Sequence, residues 1–217
     1  SAMYEEFDRL LQAVEVERKT ALGMREYIEG RLFGREVVLV FSQWGKTAAA
    51  SNTANLINVF AADLVGFTGV AGGLDPRARG GDIVVAERLY HHDVDASPFK
   101  PRYFVPLVGP NGIPTDSRTS DLLAEAARHF AAHIGEYIAR EDVEEFALQN
   151  VLVHRKNIAT GDQFVKTASV KERIVSDLPD MFAVEMEGAA VAQVCWENGV
   201  PLEVMLTISY TARGCSS

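Results

Sequence analysis

Strand-sized apolar segments alternate with helical segments along most of the chain. The clearest is 36–42 (EVVLVFS), which lacks polar alternation and therefore predicts a strand buried on both faces, followed by an Ala-rich helix over 46–62. Further strands are predicted at 63–68, 82–87, 150–160, 181–184 and 202–208, and further helices at 4–17, 120–139, 169–176 and 187–198. This alternation predicts an α/β fold with three layers, in which helices flank a mostly parallel central sheet.

Size and composition narrow the possible functions. The 217 residues, 47% of them apolar, suit one domain over 1–217. No apolar run approaches the roughly 20 residues that span a membrane, and no secretory signal is recognised, so we expect a cytoplasmic protein. The net charge is −9 and the basic residues are scattered, which argues against a nucleic-acid partner. The same charge distribution favours a small-molecule substrate. The two cysteines and five histidines lack zinc-ligand spacing and a common context, so we expect no metal and no disulfide framework, and we expect no cofactor.

The loops that follow the strands are the places to search for a ligand site. The segment 69–81 (GVAGGLDPRARGG) holds five glycines, so we expect a sharp turn whose backbone can approach a ligand closely. A tight turn that simply needs glycine is an equally good interpretation, and the spacing of a dinucleotide fingerprint is absent. The aperiodic stretch 90–120 predicts a long, functional excursion from the core.

Two further segments carry candidate site residues. Phe164 follows the 150–160 strand beside a glycine turn, where a phenyl face can stack on a flat base, although an isolated Phe is more often part of a core. Glu185 and Glu187 lie in apolar surroundings, where a carboxylate is costly without partners. Glu187 also opens a helix, whose dipole favours a charged carboxylate able to accept hydrogen bonds from a diol. The alternative is an acid that only caps the helix.

Four segments in order resemble one enzyme family. TGVAGGLDP (68–76), GGDIVVAE (80–87), TGDQFV (160–165) and AVEMEGAAVAQVC (183–195), together with SQWGKTAAA (42–50), are similar to the nucleoside phosphorylase superfamily. They most resemble its 5′-methylthioadenosine/S-adenosylhomocysteine nucleosidases. The resemblance implies a nucleoside phosphorylase-like fold and hydrolysis of the N-glycosidic bond of one or both nucleosides, which releases adenine and a thioribose product.

The resemblance also implies roles for particular residues. Adenine would stack on Phe164, and the backbone of Val165 would bind the edge of the purine. The remaining substrate-binding positions lie on the glycine-rich segment, at the start of the last helix and in the excursion: Val70, Ala71, Gly72, Glu185, Met186, Glu187 and Phe99. Met186 would contact the ribose and Glu187 would accept hydrogen bonds from its hydroxyls. The segment from Phe99 to Pro106 matches the part that closes the neighbouring subunit's pocket in the family, which implies a homodimer.

The expected catalytic groups lie near the two ends. Glu6 matches the glutamate that activates the attacking water; the alternative is an ordinary first-turn helix acid. The family places an Asp directly after an Ile-Ser pair to protonate adenine at N7, but here Ser209 is followed by Tyr210, and Leu206 stands where the family has Arg. A phenol with a pKa of about 10 is a poor acid near neutral pH. We therefore expect weak or absent turnover. The family's first strand and last helix have no counterpart in this sequence, so we also expect a domain incomplete at both ends.

Two other functions stay open at this point. A phosphate-dependent nucleoside phosphorylase would use the Gly45-Lys46 turn, Arg77 or Arg79 to bind phosphate, although the motifs favour a hydrolase. A binding protein for adenine nucleosides that has lost the catalytic acid would account for Tyr210. Dependence on phosphate distinguishes the first alternative, and binding without product formation distinguishes the second.

Overall fold

The computed structural model describes residues 4–178 and 180–211. Nine strands and seven α-helices are defined in these ranges, together with a short 3-10 helix at Leu148–Asn150. The strands are β1 (Glu15–Leu22), β2 (Arg25–Leu32), β3 (Arg35–Val40), β4 (Val65–Gly73), β5 (Ile83–His91), β6 (Ile113–Pro114), β7 (Val153–Thr160), β8 (Met181–Glu185) and β9 (Leu202–Thr211). The helices are α1 (Tyr4–Ala13), α2 (Lys46–Asn58), α3 (Ser117–Ala132), α4 (Ile134–Tyr137), α5 (Arg140–Glu145), α6 (Ala168–Asp177) and α7 (Gly188–Asn198).

Six strands form the central sheet, in the order β6-β5-β7-β8-β4-β9. The long pairings β5–β7, β7–β8 and β4–β9 are parallel, whereas β5–β6 and β4–β8 are short and antiparallel. β9 also pairs with β5, so the sheet closes on itself. The predicted α/β fold with a mostly parallel sheet and flanking helices is confirmed. Its closure was not predicted, because pairing between distant strands leaves no local pattern in the sequence.

The glycine-rich segment after residue 68 is a bent strand in its first half. β4 continues to Gly73, so the predicted turn over 69–81 is wrong for 69–73. β4 pairs with β9 along its length and, at Gly72 and Gly73, also with β8. The register with β9 shifts between Ala71 and Gly72. Small residues permit this irregularity and the close approach of two neighbouring strands.

A second, three-stranded antiparallel sheet (β1-β2-β3) precedes the central one. The expectation that 36–42 is a strand buried on both faces of the parallel sheet is wrong: β3 pairs with β2 and begins exposed. The predicted helix over 4–17 ends at Ala13, because 15–22 pairs with β2. Ion pairs such as Arg18–Glu29 connect neighbouring strands of this sheet. Tyr27, fully buried, joins it to α2 by donating to Asn52 Oδ1 at 3.0 Å.

Helices α2 and α7 pack together on the central sheet. α7 is rich in alanine and buried over most of its length, which allows its backbone to lie close to the strands. α3 begins at Ser117, three residues earlier than predicted, because Asp116 caps it by accepting from the Thr119 N–H at 2.8 Å. Among the helices in the described ranges, none combines the length and apolarity needed to cross a membrane.

Candidate functional site

The ends of β7, β8, β4 and β9 meet at one edge of the central sheet, where several of the predicted site residues lie. Thr160 ends β7, Glu185 ends β8 in register with it, and Glu187 immediately precedes α7. Tyr210 in β9 pairs in register with Gly72 of β4. The carboxyl ends of parallel strands are the usual position of a ligand site in α/β proteins.

The carboxylate of Glu185 is buried, and both of its oxygens accept hydrogen bonds from the protein itself. Its Oε2 accepts from the N–H groups of Glu187 and Gly188, both at 2.7 Å. Its Oε1 accepts from the hydroxyl of Thr160, which in turn accepts from the Ala189 N–H at 2.8 Å. Glu185 therefore fixes the start of α7 to the end of β7. Burial, together with the neighbouring charge of Glu187, raises the pKa of Glu185 to about 7.

Glu187 reaches away from its own helix. It occupies the N-cap position of α7 but makes no side-chain capping bond there, so the capping alternative is wrong for this residue. Its Oε1 instead accepts from the N–H of Gly45 at 2.6 Å, across the turn between β3 and α2. Gly45 has φ 93°, a conformation that favours glycine. The buried carboxylate of Glu187 is thus held by the turn that leads into α2.

The predicted base-binding residues lie in the loop after β7. The side chain of Phe164 is 63% exposed, which excludes the interpretation that it is a core residue. Val165, the next residue, is buried and anchors the loop in a cluster with Leu74 and Ile174. Before them, Gly161 lies against the buried ring of His92: a Cβ added there would meet His92 Nε2 at 2.3 Å. The ring of Phe164 is therefore exposed on a loop whose neighbouring residues, Gly161 and Val165, are tightly packed.

The other predicted residues divide into three groups. Ala71 and Gly72 are buried in β4, Val70 is partly exposed, and Met186 is half-buried between the two glutamates. Ser209 Oγ donates to the carbonyl of Ala71 at 3.4 Å. Phe99 is 90% exposed in the loop after β5 and is not brought into contact with the site in this chain. The side chains of Glu6 and Tyr210 lie outside the described part; their backbones belong to α1 and β9.

Sequence reasoning missed a charged cluster beside Glu187. Lys46 at the start of α2 donates to Asp93 Oδ1 at 2.6 Å, and Asp162 donates its N–H to Asp93 Oδ2 at 2.8 Å. The only available signal was that Lys46 and Asp162 each follow a glycine at a predicted turn. The sequence suggests Lys46 only as a phosphate ligand, and the pairing of Lys46 with Asp93 opposes that role.

Comparison with known proteins gives concordant results. The family model of the phosphorylase superfamily matches residues 1–215. A 5′-methylthioadenosine/S-adenosylhomocysteine nucleosidase of Geobacillus kaustophilus is 38% identical over 209 residues, covering 96% of this chain and 81% of the relative. One of Shewanella halifaxensis is 33% identical over 215 residues, covering 99% and 86%.

Solved structures are similar to the whole described fold. The nucleosidase of Neisseria meningitidis in complex with methylthio-immucillin-A has a TM-score of 0.85 at 32% identity, covering 97% of this chain and 84% of that one. Futalosine hydrolase of Helicobacter pylori has a TM-score of 0.80 at 34% identity, covering 97% and 82%.

Proposed function

Because the chain belongs to the phosphorylase superfamily and, within it, to the 5′-methylthioadenosine/S-adenosylhomocysteine nucleosidases, we propose that it binds these adenine nucleosides and hydrolyses their N-glycosidic bond. The observation that carries the proposal is the carboxylate of Glu187, buried at the edge of the sheet and oriented by Gly45 rather than by its own helix. Such a group suits the vicinal hydroxyls of a ribose, each of which can donate one hydrogen bond.

The proposed binding mode divides the nucleoside between two parts of the site. Adenine stacks on Phe164, and the backbone of Val165 binds its edge, while Met186 and Glu187 contact the ribose. The backbone of Val70, Ala71 and Gly72 forms the β4 side of the pocket. The exposed phenyl ring and the oriented carboxylate support this assignment. For Glu185 we propose an indirect part, because both of its oxygens already accept hydrogen bonds from the protein.

Hydrolysis needs a leaving base neutralised by a proton at N7, a stabilised oxocarbenium-like sugar and a positioned water. We assign the water to Glu6 and the N7 proton to the position of Ser209 and Tyr210. A general acid contributes about 100- to 10,000-fold to a rate. A tyrosine with an ordinary pKa of about 10 supplies little of this near neutral pH. The proposed enzyme is therefore a purine nucleosidase whose turnover is limited at position 210.

Turnover of methylthioadenosine tests both parts of this proposal. We expect the chain to bind the nucleoside and release adenine slowly without phosphate, and Tyr210→Asp to raise the rate constant by about 100-fold or more. Tyr137→Asp, at a half-exposed position of α4 where the ring packs on Phe130, is the control and should leave the rate constant unchanged. Fast release by the unmodified chain would contradict the limit assigned to Tyr210. Failure to bind adenine or the nucleoside would contradict the assigned function.

The phosphorylase alternative is opposed by the pairing of its three candidate phosphate ligands. Lys46 donates to Asp93, Arg77 donates to Asp75 at 2.6 Å, and Arg79 bonds Asp82 and the carbonyl of Asn150. A phosphate would have to compete with a carboxylate for each of them. The binding-protein alternative is favoured by Tyr210 alone. Adenine release that requires phosphate would support the first, and calorimetric binding without any product would support the second.

A homodimer is also part of the proposal. Several large apolar side chains are strongly exposed in the described part, among them Trp44, Phe99 and Leu107. Exposed apolar groups of this size are typical of surfaces that bind another protein. Sedimentation equilibrium should give twice the 23.7 kDa chain mass; a monomer at all concentrations would contradict the proposal. The cytoplasmic location stays a prediction, as does the single domain.

A further inference from the structure

Lys46, Asp93 and Asp162 form a closed ring of contacts, here called the Lys46 clamp. Lys46 Nζ donates to Asp93 Oδ1 at 2.6 Å and lies 3.5 Å from Asp162 Oδ2. Asp93 Oδ2 accepts the N–H of Asp162 at 2.8 Å, and Asp162 Oδ1 accepts the N–H of Lys46 at 3.1 Å. The clamp thus joins the start of α2, the loop after β5 and the loop after β7.

The clamp is more than a solvated surface ion pair. The side chains of Lys46 and Asp93 are only 19% and 24% exposed, so this pair is sheltered, whereas the side chain of Asp162 is 55% exposed. Burial alone would raise the pKa of Asp93, but the hydrogen bonds from Lys46 and from the Asp162 N–H outweigh it and hold this pKa below its usual value. Sheltered, charge-assisted bonds of this kind are stronger and less screened than exposed ones.

The residues of the clamp are connected to both halves of the proposed pocket. On one side, the Gly45-Lys46 turn is held through successive N–H groups: Glu187 accepts from Gly45, and Asp162 accepts from Lys46. On the other side, Asp162 lies two residues before Phe164 in the loop after β7. A shift of Asp162 would therefore move both the base-stacking ring and the turn that orients Glu187.

We propose that Lys46 is a positioning residue that, through Asp93 and Asp162, couples the adenine-binding loop after β7 to the ribose-binding carboxylate of Glu187. The pocket role of this coupling rests on the proposed function. Its physical basis is that Lys46 is the cation between two carboxylates, Asp93 and Asp162. Without the ammonium these two groups repel each other, and the contact between their loops loosens. Nucleoside binding then requires both loops to be ordered again, which lowers affinity.

Hydrogen exchange of the backbone tests the coupling without any ligand. Lys46→Met removes the ammonium but leaves the acceptors of the Gly45, Lys46 and Asp162 amides in place. We expect these three amides to exchange about tenfold faster, since their protection depends on local opening. Lys46→Arg should retain protection, because a guanidinium also pairs with carboxylates. Lys19→Met, which removes the exposed partner of Glu26, is the matched control and should leave the three amides unchanged.

Binding of two ligands then tests the role in the pocket. The probes are adenine and the 7-deaza analogue of methylthioadenosine, which lacks N7 and so cannot be activated by protonation there. Because the clamp joins the two halves, Lys46→Met should weaken binding of the nucleoside analogue by about 10- to 100-fold, and more than that of adenine. Asp93→Asn keeps an acceptor for the Asp162 amide but breaks the ion pair that ties Lys46 to the loop after β5. It should act in the same direction through that lost bond, and it serves if Lys46→Met folds poorly.

The outcomes separate the clamp from the proposed function. If the unmodified chain binds neither probe, the proposed function fails, and with it the pocket role of Lys46, whatever the exchange data show. If it binds both probes while the exchange of Gly45 and Asp162 is the same in Lys46→Met, the coupling is refuted and the function stands. Equal weakening of both probes, or a response of Asp162 alone, also refutes coupling to Glu187.

Discussion

Replacing Glu185 with glutamine should remove a pH-dependent cost from the folded state. The carboxylate of Glu185 is buried next to the charge of Glu187, and its pKa rises from 4.5 to about 7. Below pH 4.5 the group is protonated whether the chain is folded or not. Between these two values only the folded state holds the proton, which favours folding on the acid side. This contribution is lost as the pH rises through about 7.

The size of the effect follows from the same values. At about 1.4 kcal/mol per pH unit, ionising Glu185 in the folded state costs about 3 kcal/mol. Glutamine has no proton to lose, so Glu185→Gln should not pay this cost. Its amide oxygen can accept from the Glu187 and Gly188 N–H groups, and its NH2 can donate to the hydroxyl of Thr160. We expect wild type and variant to be similar near pH 5 and the variant to be more stable by about 2 to 3 kcal/mol at pH 8.

The measurement is urea unfolding followed by circular dichroism at pH 5, 6, 7 and 8. In thermal unfolding the same difference corresponds to roughly 5 to 10 °C for a chain of this size. Comparing the two proteins at each pH cancels the titration of the groups that do not interact with Glu185; Glu187, whose charge acts on it, does not cancel. Glu141→Gln, at an exposed position in α5, is the matched control and should follow the wild type. Parallel stability curves for wild type and Glu185→Gln would refute the reasoning.

Two further substitutions test how the neighbouring loops are held. Gly161→Ala should weaken adenine binding and cost about 1–3 kcal/mol, because its Cβ would meet the buried ring of His92 at 2.3 Å. Gly80→Ala, with open space around it, is the control, and equal effects of the two on calorimetric binding would contradict this. Tyr103→Phe should destabilise the loop after β5 by about 1 kcal/mol, because the hydroxyl donates to Asp177 at 2.6 Å; unchanged limited proteolysis of that loop would count against it.

The parts of the fold that could be predicted are those with a strong local signal. The ends of β5, β7, β8 and α7 lie within four residues of their predicted positions, since each is an apolar run or an apolar helix with clear ends. β1 and β2 were missed because they carry charges at many positions. Their pairing depends on contacts such as Arg18–Glu29 and Lys19–Glu26, which form only in one register between two strands. Such a register cannot be seen in either strand alone.

In the candidate site, too, some residues could be predicted from a local pattern, whereas their contacts with distant residues could not. Phe164 and Glu187 could be singled out because an aromatic beside a glycine turn and a carboxylate in an apolar segment are unusual locally. Their geometry could not be predicted: Glu187 bonds Gly45, which lies 142 residues away in the chain. The Lys46 clamp likewise joins residues from the start of α2 and from two separate loops. Glycine was misleading in β4, because a turn and a bent strand need the same small residue.

The arrangement of the site separates binding from chemistry along the chain. The contacts that shape the proposed pocket lie between Gly45 and Ala189, and they are made among described residues. The groups assigned to the water and to the N7 proton, Glu6 and Tyr210, belong to α1 and β9 instead. Glu185 and Lys46 position the elements that form the pocket and are not proposed to contact the ligand, so changing them should alter the affinity for the nucleoside. Changing position 210 should alter the rate constant while leaving the affinity for the 7-deaza nucleoside unchanged, because that ligand has no N7 to protonate.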